Sequence, residues 1–126
     1  MLFRSLGNFM HPGMQDMARF GMCRDFGLLA RVHVAPASDS RLVAAAIEVV
    51  PLMRMHRDPA PMAAADARHR VEVLNILAED LDAAEDVRGV RFVPRADGSG
   101  LYCAPGASAR EDAVGAMCRK IGRAHV

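Results

Sequence analysis

The segment Ala44–Asp58, AAAIEVVPLMRMHRD, constrains the chain most tightly. Its alanines and leucine favour helix, yet Pro51 sits in the middle of the apolar run. Inside a helix, proline removes a backbone donor and clashes with the preceding turn. Proline is tolerated in a helix's first turn, so the segment reads as a junction where one short helix stops and another starts. Composition supports helices. Hydrophobic residues make up 52% of the 126-residue chain and charged residues 25%, ordinary for one globular domain with a core. Aromatic residues are only 5%, with nine Met and no Trp, which suits close helix packing better than a β architecture.

Breakers elsewhere divide the chain into further helical blocks. His11-Pro12-Gly13 is a strong turn signal, and Met14 to Ala30 then carries an amphipathic stripe of Met14, Met17, Ala18, Gly21, Met22, Phe26 and Leu29. His33 to Ser40 reads as a turn with Ser38, Asp39 and Ser40 as N-cap candidates, and Arg41 to Ala46 as a short helix. After Arg57-Asp58-Pro59 a long helix is predicted from Ala60 to Glu79, with its stripe at Ala67, Val71, Leu74 and Leu77 or Ala78. Gly89 to Pro94, GVRFVP, alternates like a strand, and the Gly- and Ser-rich stretch to Ser108 reads as a loop. AREDAVGAMCRK restores a helix, with Glu111 and Asp112 suited to its N-terminus.

The net charge of +1 provides no field for nucleic acid or membrane lipid, and no apolar run approaches a membrane span. Cys23, Cys103 and Cys118 lack CxxC spacing, and an odd count without a framework favours a reducing, intracellular and cytoplasmic setting. The last residues, KIGRAHV, read like a translated sequencing-library adapter, and Lys120 is the only lysine beside fifteen arginines. Residues 121–126 are therefore set aside as a non-native tail, and the remainder is expected to be a fragment of something longer.

Laid against itself, the chain shows a repeat. AIEVVP (Ala46–Pro51) matches GVRFVP (Gly89–Pro94) at an offset of 43 residues, and LNILA (Leu74–Ala78) follows FGLLA (Phe26–Ala30) by 48. Met10-His11 aligns with Met55-His56 ahead of the two long helical blocks. This arrangement resembles armadillo repeats, whose period is about 40–47 residues, with HEAT repeats as the near alternative. The resemblance implies an all-α, armadillo-like solenoid over residues 1–120, divided 1–38, 39–81 and 82–120. It further implies a non-enzymatic scaffold holding a protein or peptide partner on a concave, helix-lined surface. By analogy of position, Arg24, His69, Glu72 and Asn75 would face that partner. The family's asparagine ladder is absent, because Leu28 and Ile76 occupy those positions and Asn75 lies one place off.

Residue chemistry adds little to this. No histidine pair has metal-ligand spacing, so neither metal nor cofactor is expected. ADGSG (Ala96–Gly100) matches no phosphate-binding loop. Cys103, on a Gly-rich loop beside Tyr102, is the one nucleophile candidate, and a small helical thiol enzyme is the competing reading. A third is a repeat segment of a larger protein whose chemistry lies elsewhere.

Overall fold

The computed structural model of the protein describes residues 26–55, 58–85 and 89–123. In chain order these contain strand β1 (Gly27–Pro36), β2 (Leu42–Met53), β3 (Ala60–Pro61), helix α1 (Ala64–Glu85), β4 (Val93–Pro94), β5 (Gly100–Cys103), a 3-10 turn (Ala107–Ala109) and helix α2 (Ala113–Arg123). The strands make one antiparallel sheet of order β1-β2-β5-β4, and β3 adds to β2. The fold is α+β. This overturns the all-α, armadillo-like solenoid and its HEAT-like alternative: AIEVVP and most of FGLLA are strands of one sheet, LNILA lies in α1, and only Val93–Pro94 of GVRFVP is strand.

Pro51 shows why. It lies within β2, opposite Leu28 of β1. In an antiparallel ladder a residue's N–H and C=O point to the same neighbour. The Pro51 carbonyl accepts from Met62 N at 3.0 Å, so the donor that proline lacks would point away from β1. It falls between the β5 pairing, which ends at Val49, and the β3 pairing, which starts at Leu52. Proline thus breaks no rung of the β1–β2 ladder, and the β-branched Val43, Ile47, Val49 and Val50 around it favour the pleated conformation.

The β1–β2 hairpin turns at Ala37–Arg41, so only the second half of the turn expected at His33–Ser40 is one, and His33–Pro36 belong to β1. Ala37 N donates to Arg41 O, Asp39 Oδ1 accepts from Arg41 N, and Ser40 takes φ 65°. Where His33 meets Val34 the register slips by one residue, leaving Ala45 as the extra residue of a bulge. Both Ala45 and Ala46 are buried there.

Side chains directly opposite in a ladder share a face. One face therefore carries the rows His33–Ala46–Cys103 and Arg31–Glu48–Leu101–Val93. α2 covers part of this face, forming a core of Ala46, Leu101, Ala107 and Cys118 with Val114, Met117 and Ile121 beside it; the helix thus runs through residues 121–123 of the stretch set aside as a tail. The other face carries Val32–Ile47–Tyr102 and Ala30–Val49–Gly100–Pro94, and α1 packs on it through Ala67 and Val71. Gly100 is required by this approach. A Cβ there would lie 2.9 Å from Phe92 Cβ, Val49 Cγ2 and Val71 Cγ1, inside contact distance on three sides.

Both helices were legible, with altered ends. α1 starts four residues later than predicted and runs to Glu85; it buries Ala67 and Val71, while Leu77 is 57% exposed. α2 begins directly after Asp112, whose Oδ1 accepts from Gly115 N at 3.0 Å as an N-cap. The predicted helix at Arg41–Ala46 is instead the start of β2, and the end of the predicted Met14–Ala30 helix is the start of β1; its earlier part lies outside the described residues. The stretch read as one loop, 95–108, contains β5.

Candidate functional site

The sheet face that carries α2 is apolar under the helix and polar beyond it. Glu48 stands in the central strand with its side chain only 10% exposed. A carboxylate so placed must be paired or protonated, and it is paired from both sides. Arg31, its cross-strand neighbour on β1, donates from Nη1 to Oε2 at 3.1 Å. Arg95, just past β4, donates from Nη2 to Oε1. Burial raises the Glu48 pKa, but the hydrogen bonds and positive charges of Arg95 and Arg31 together outweigh it and hold the carboxyl below its ordinary value.

Arg95 is itself fixed by the β4–β5 turn. Its Nε donates to Ser99 Oγ at 2.7 Å, and that hydroxyl donates to Asp97 Oδ1 at 2.5 Å. Gly98 takes φ 86° to close the turn, as Asp-Gly turns commonly require. The hydroxyl bond from Ser99 is the main cause of a lowered Asp97 pKa. His33 completes the cluster, with Nε2 buried, 4.0 Å from Glu48 Oε2 and making no hydrogen bond.

Chemically this group is a charge-balanced tie across strands. The Glu48 carboxylate is stabilised in its ionised form, which is the wrong direction for a general acid. The Ser99 hydroxyl is engaged at both its donor and an acceptor, so it is not poised as a nucleophile. Among the described residues no group of three or more His, Cys, Asp or Glu could hold a metal ion.

Of the residues expected from the sequence to face a partner, His69, Glu72 and Asn75 lie at successive turns of α1. Arg24 lies outside the described residues. His69 and Glu72 are exposed neighbours on α1, with Nδ1 to Oε2 3.7 Å apart. Asn75 has a different job. Its Nδ2 donates to Phe92 O and its Oδ1 accepts from Phe92 N, both at 2.8 Å, so one side chain clamps the backbone leading into β4 against α1. Replacing Asn75 with alanine strands both groups of Phe92 and is expected to cost about 2 kcal/mol in urea unfolding. Asn75→Asp keeps the acceptor for Phe92 N but sets a carboxylate oxygen against the Phe92 carbonyl, so it should be no milder than Asn75→Ala near neutral pH.

Cys103 is joined to Cys118 in a disulfide that ties the end of β5 to the middle of α2. In this state it offers no thiolate, so the thiol-enzyme reading loses its nucleophile. The signal for the polar cluster was Glu48 itself, a lone charge inside an apolar alternating run that required cationic neighbours.

The opposite face has a different character. Among the described residues β1 pairs only with β2, and none of them pairs with its outer edge. Its side chains on that face include Leu28, Val32 and Val34, and the last two are 54% and 55% exposed. Leu42 across the hairpin, and Ile76 and Leu77 on α1, are exposed as well. No helix among the described residues is long and apolar enough to cross a membrane. Comparison with protein-family models, with curated proteins and with solved structures gave no match.

Proposed function

We propose that this domain is a protein-binding module that takes up an extended segment of a partner along the open edge of β1. The observation that carries the reading is the row Leu28, Val32 and Val34, exposed on a strand that has one neighbour among the described residues. An open edge supplies unpaired backbone groups, and alternate apolar side chains supply the pockets; together they are the requirements for strand addition. Exposed apolar residues in a contiguous row mark contact surfaces more often than isolated ones do.

Charge sets the partner's pattern. Arg31 is 59% exposed, and its pairing with Glu48 uses Nη1, leaving other donors of its fork for a second acceptor. The partner segment would alternate apolar residues with polar ones and place an acidic residue opposite Arg31. The partner is a protein rather than a nucleic acid, because the polar cluster is charge-balanced and the chain as a whole carries only +1.

Panning a random-peptide display library against the full chain tests this. Enriched peptides should alternate in hydrophobicity, shift the amide resonances of Gly27–Pro36, and lose roughly tenfold or more in affinity to Val32→Lys. Val32 is exposed, so the variant should keep its stability within about 0.5 kcal/mol. Enriched peptides that bind V32K unchanged, or leave β1 resonances unmoved, would sink the reading.

A further inference from the structure

We propose that the Cys103–Cys118 disulfide is exchangeable in the folded protein, and that the groove beside it admits a low-molecular-weight thiol. The two sulfur-bearing residues form part of the wall of a solvent-open groove of about 350 Å3. Val93, Ala104, Pro105, Gly106, Ser108 and Ile121 line the rest. At Gly106 a Cβ would meet nothing within 4 Å, so this side of the groove is open. The volume lies at the small-molecule end of ligand sites.

The two sulfurs are not equivalent. Cys103 ends β5 and is half-buried, while Cys118 is 4% exposed within the Ala46–Leu101–Ala107 core. Access therefore directs an incoming thiolate to Cys103. Attack forms a new S–S bond between that thiol and Cys103 Sγ and breaks the bond to Cys118. The Cys118 sulfur leaves with the electron pair and takes a proton from water. A second thiol then attacks the small molecule's own sulfur, forming a low-molecular-weight disulfide and freeing Cys103 as a thiol. Two thiols are oxidised to one disulfide, and the protein's disulfide is reduced.

The mechanical result is confined to α2. Once the bond opens, this 11-residue helix is held to the sheet by Val114, Met117, Cys118 and Ile121, and to the preceding turn by Arg119 Nη1 donating to Ser108 O and Arg110 O. α1 packs on the opposite sheet face and shares none of these contacts. The bond is thus a redox-sensitive latch on one helix.

The test uses the full chain with Cys23→Ser, so that two cysteines remain, incubated with glutathione and quenched by alkylation for mass spectrometry. Reduction is expected at a rate at least tenfold above global unfolding, with amide exchange accelerating in 113–123 and unchanged in α1. With oxidised glutathione supplied instead, the Cys103 thiolate of a C23S/C118S chain should bond to one glutathione sulfur and release the other as reduced glutathione; in C23S/C103S, the same exchange at Cys118 should be at least tenfold slower. Ser108→Phe, which fills the groove from an exposed position, should slow reduction of the intact disulfide while leaving the circular dichroism spectrum unchanged. Reduction no faster than global unfolding, or equal adduct formation at the two cysteines, would overturn the proposal.

Discussion

Replacing Glu48 with alanine is expected to destabilise the protein by about 3 kcal/mol, because it takes from the half-buried Arg95 its nearest carboxylate and leaves only Asp97 at 3.8 Å. The two arginines should not respond alike. Arg95 is 24% exposed and tied to Ser99, so Arg95→Ala leaves the buried carboxylate with one partner and should approach the cost of losing Glu48. Arg31 is 59% exposed, its pairing is screened by water, and Arg31→Ala should cost about 1 kcal/mol or less. Buried pairs can often be exchanged for apolar residues of similar volume at little cost. The double variant Glu48→Leu, Arg95→Met should therefore recover most of what either single loss removes. If Glu48→Ala is as mild as Arg31→Ala in urea unfolding, the tie between strands is not what holds Arg95 and β4 in place.

The same residue sets an acid limit. Its folded-state pKa lies below the ordinary glutamate value of 4.5, so its contribution is fully present above pH 4.5. It is lost as pH falls through the depressed folded value. Glu48→Gln should flatten that acid limb while lowering stability at neutral pH. Asp97, held low chiefly by the Ser99 hydroxyl, acts in the same direction.

Removing the disulfide with Cys103→Ser, Cys118→Ser should have a comparable effect by a different route. The linked residues are 15 apart in sequence, and closing a loop of about that length restricts the unfolded chain by about 3 kcal/mol. For a domain near 100 residues that corresponds to a melting temperature lower by about 12–24 °C. Two serines also place hydroxyls beside the Ala46–Leu101 core, which adds to the loss. A melt unchanged within about 2 °C would mean that the reduced unfolded chain is already constrained there.

Helix existence was readable and sheet existence was not, for one physical reason. Ala67 and Val71 recur at helical spacing and do face the sheet, and Asp112 caps α2 where an acidic N-terminus was expected. In β2, however, alanines at 44–46 and flanking methionines carry helix propensity, while tertiary pairing on both edges decides the conformation. The match between AIEVVP and GVRFVP was a real likeness of a different kind. Both end in a proline within one sheet, Pro51 inside β2 and Pro94 at the end of β4, and the alternation noticed in GVRFVP applied to its counterpart. Asp97-Gly98 was a hairpin signal that a search for phosphate loops passed over. Neither the clamp on Phe92 nor the Arg95–Glu48 pair was legible, since each joins residues brought together only by the fold: 17 positions apart in the first and 47 in the second.

The two edges of β2 are filled on different schedules. β1 lies across a turn of five residues, so that hairpin can zip as soon as the turn forms. β5 joins β2 by pairing Ala46 with Cys103 and Val49 with Gly100, after α1 and β4 have intervened in the chain. Closing so long a loop pays its entropy before any rung rewards it, which slows folding. Until β5 arrives, Ile47, Val49 and the unpaired backbone of β2 are open to other copies. Refolding yield should accordingly fall with protein concentration even where the native state is monomeric.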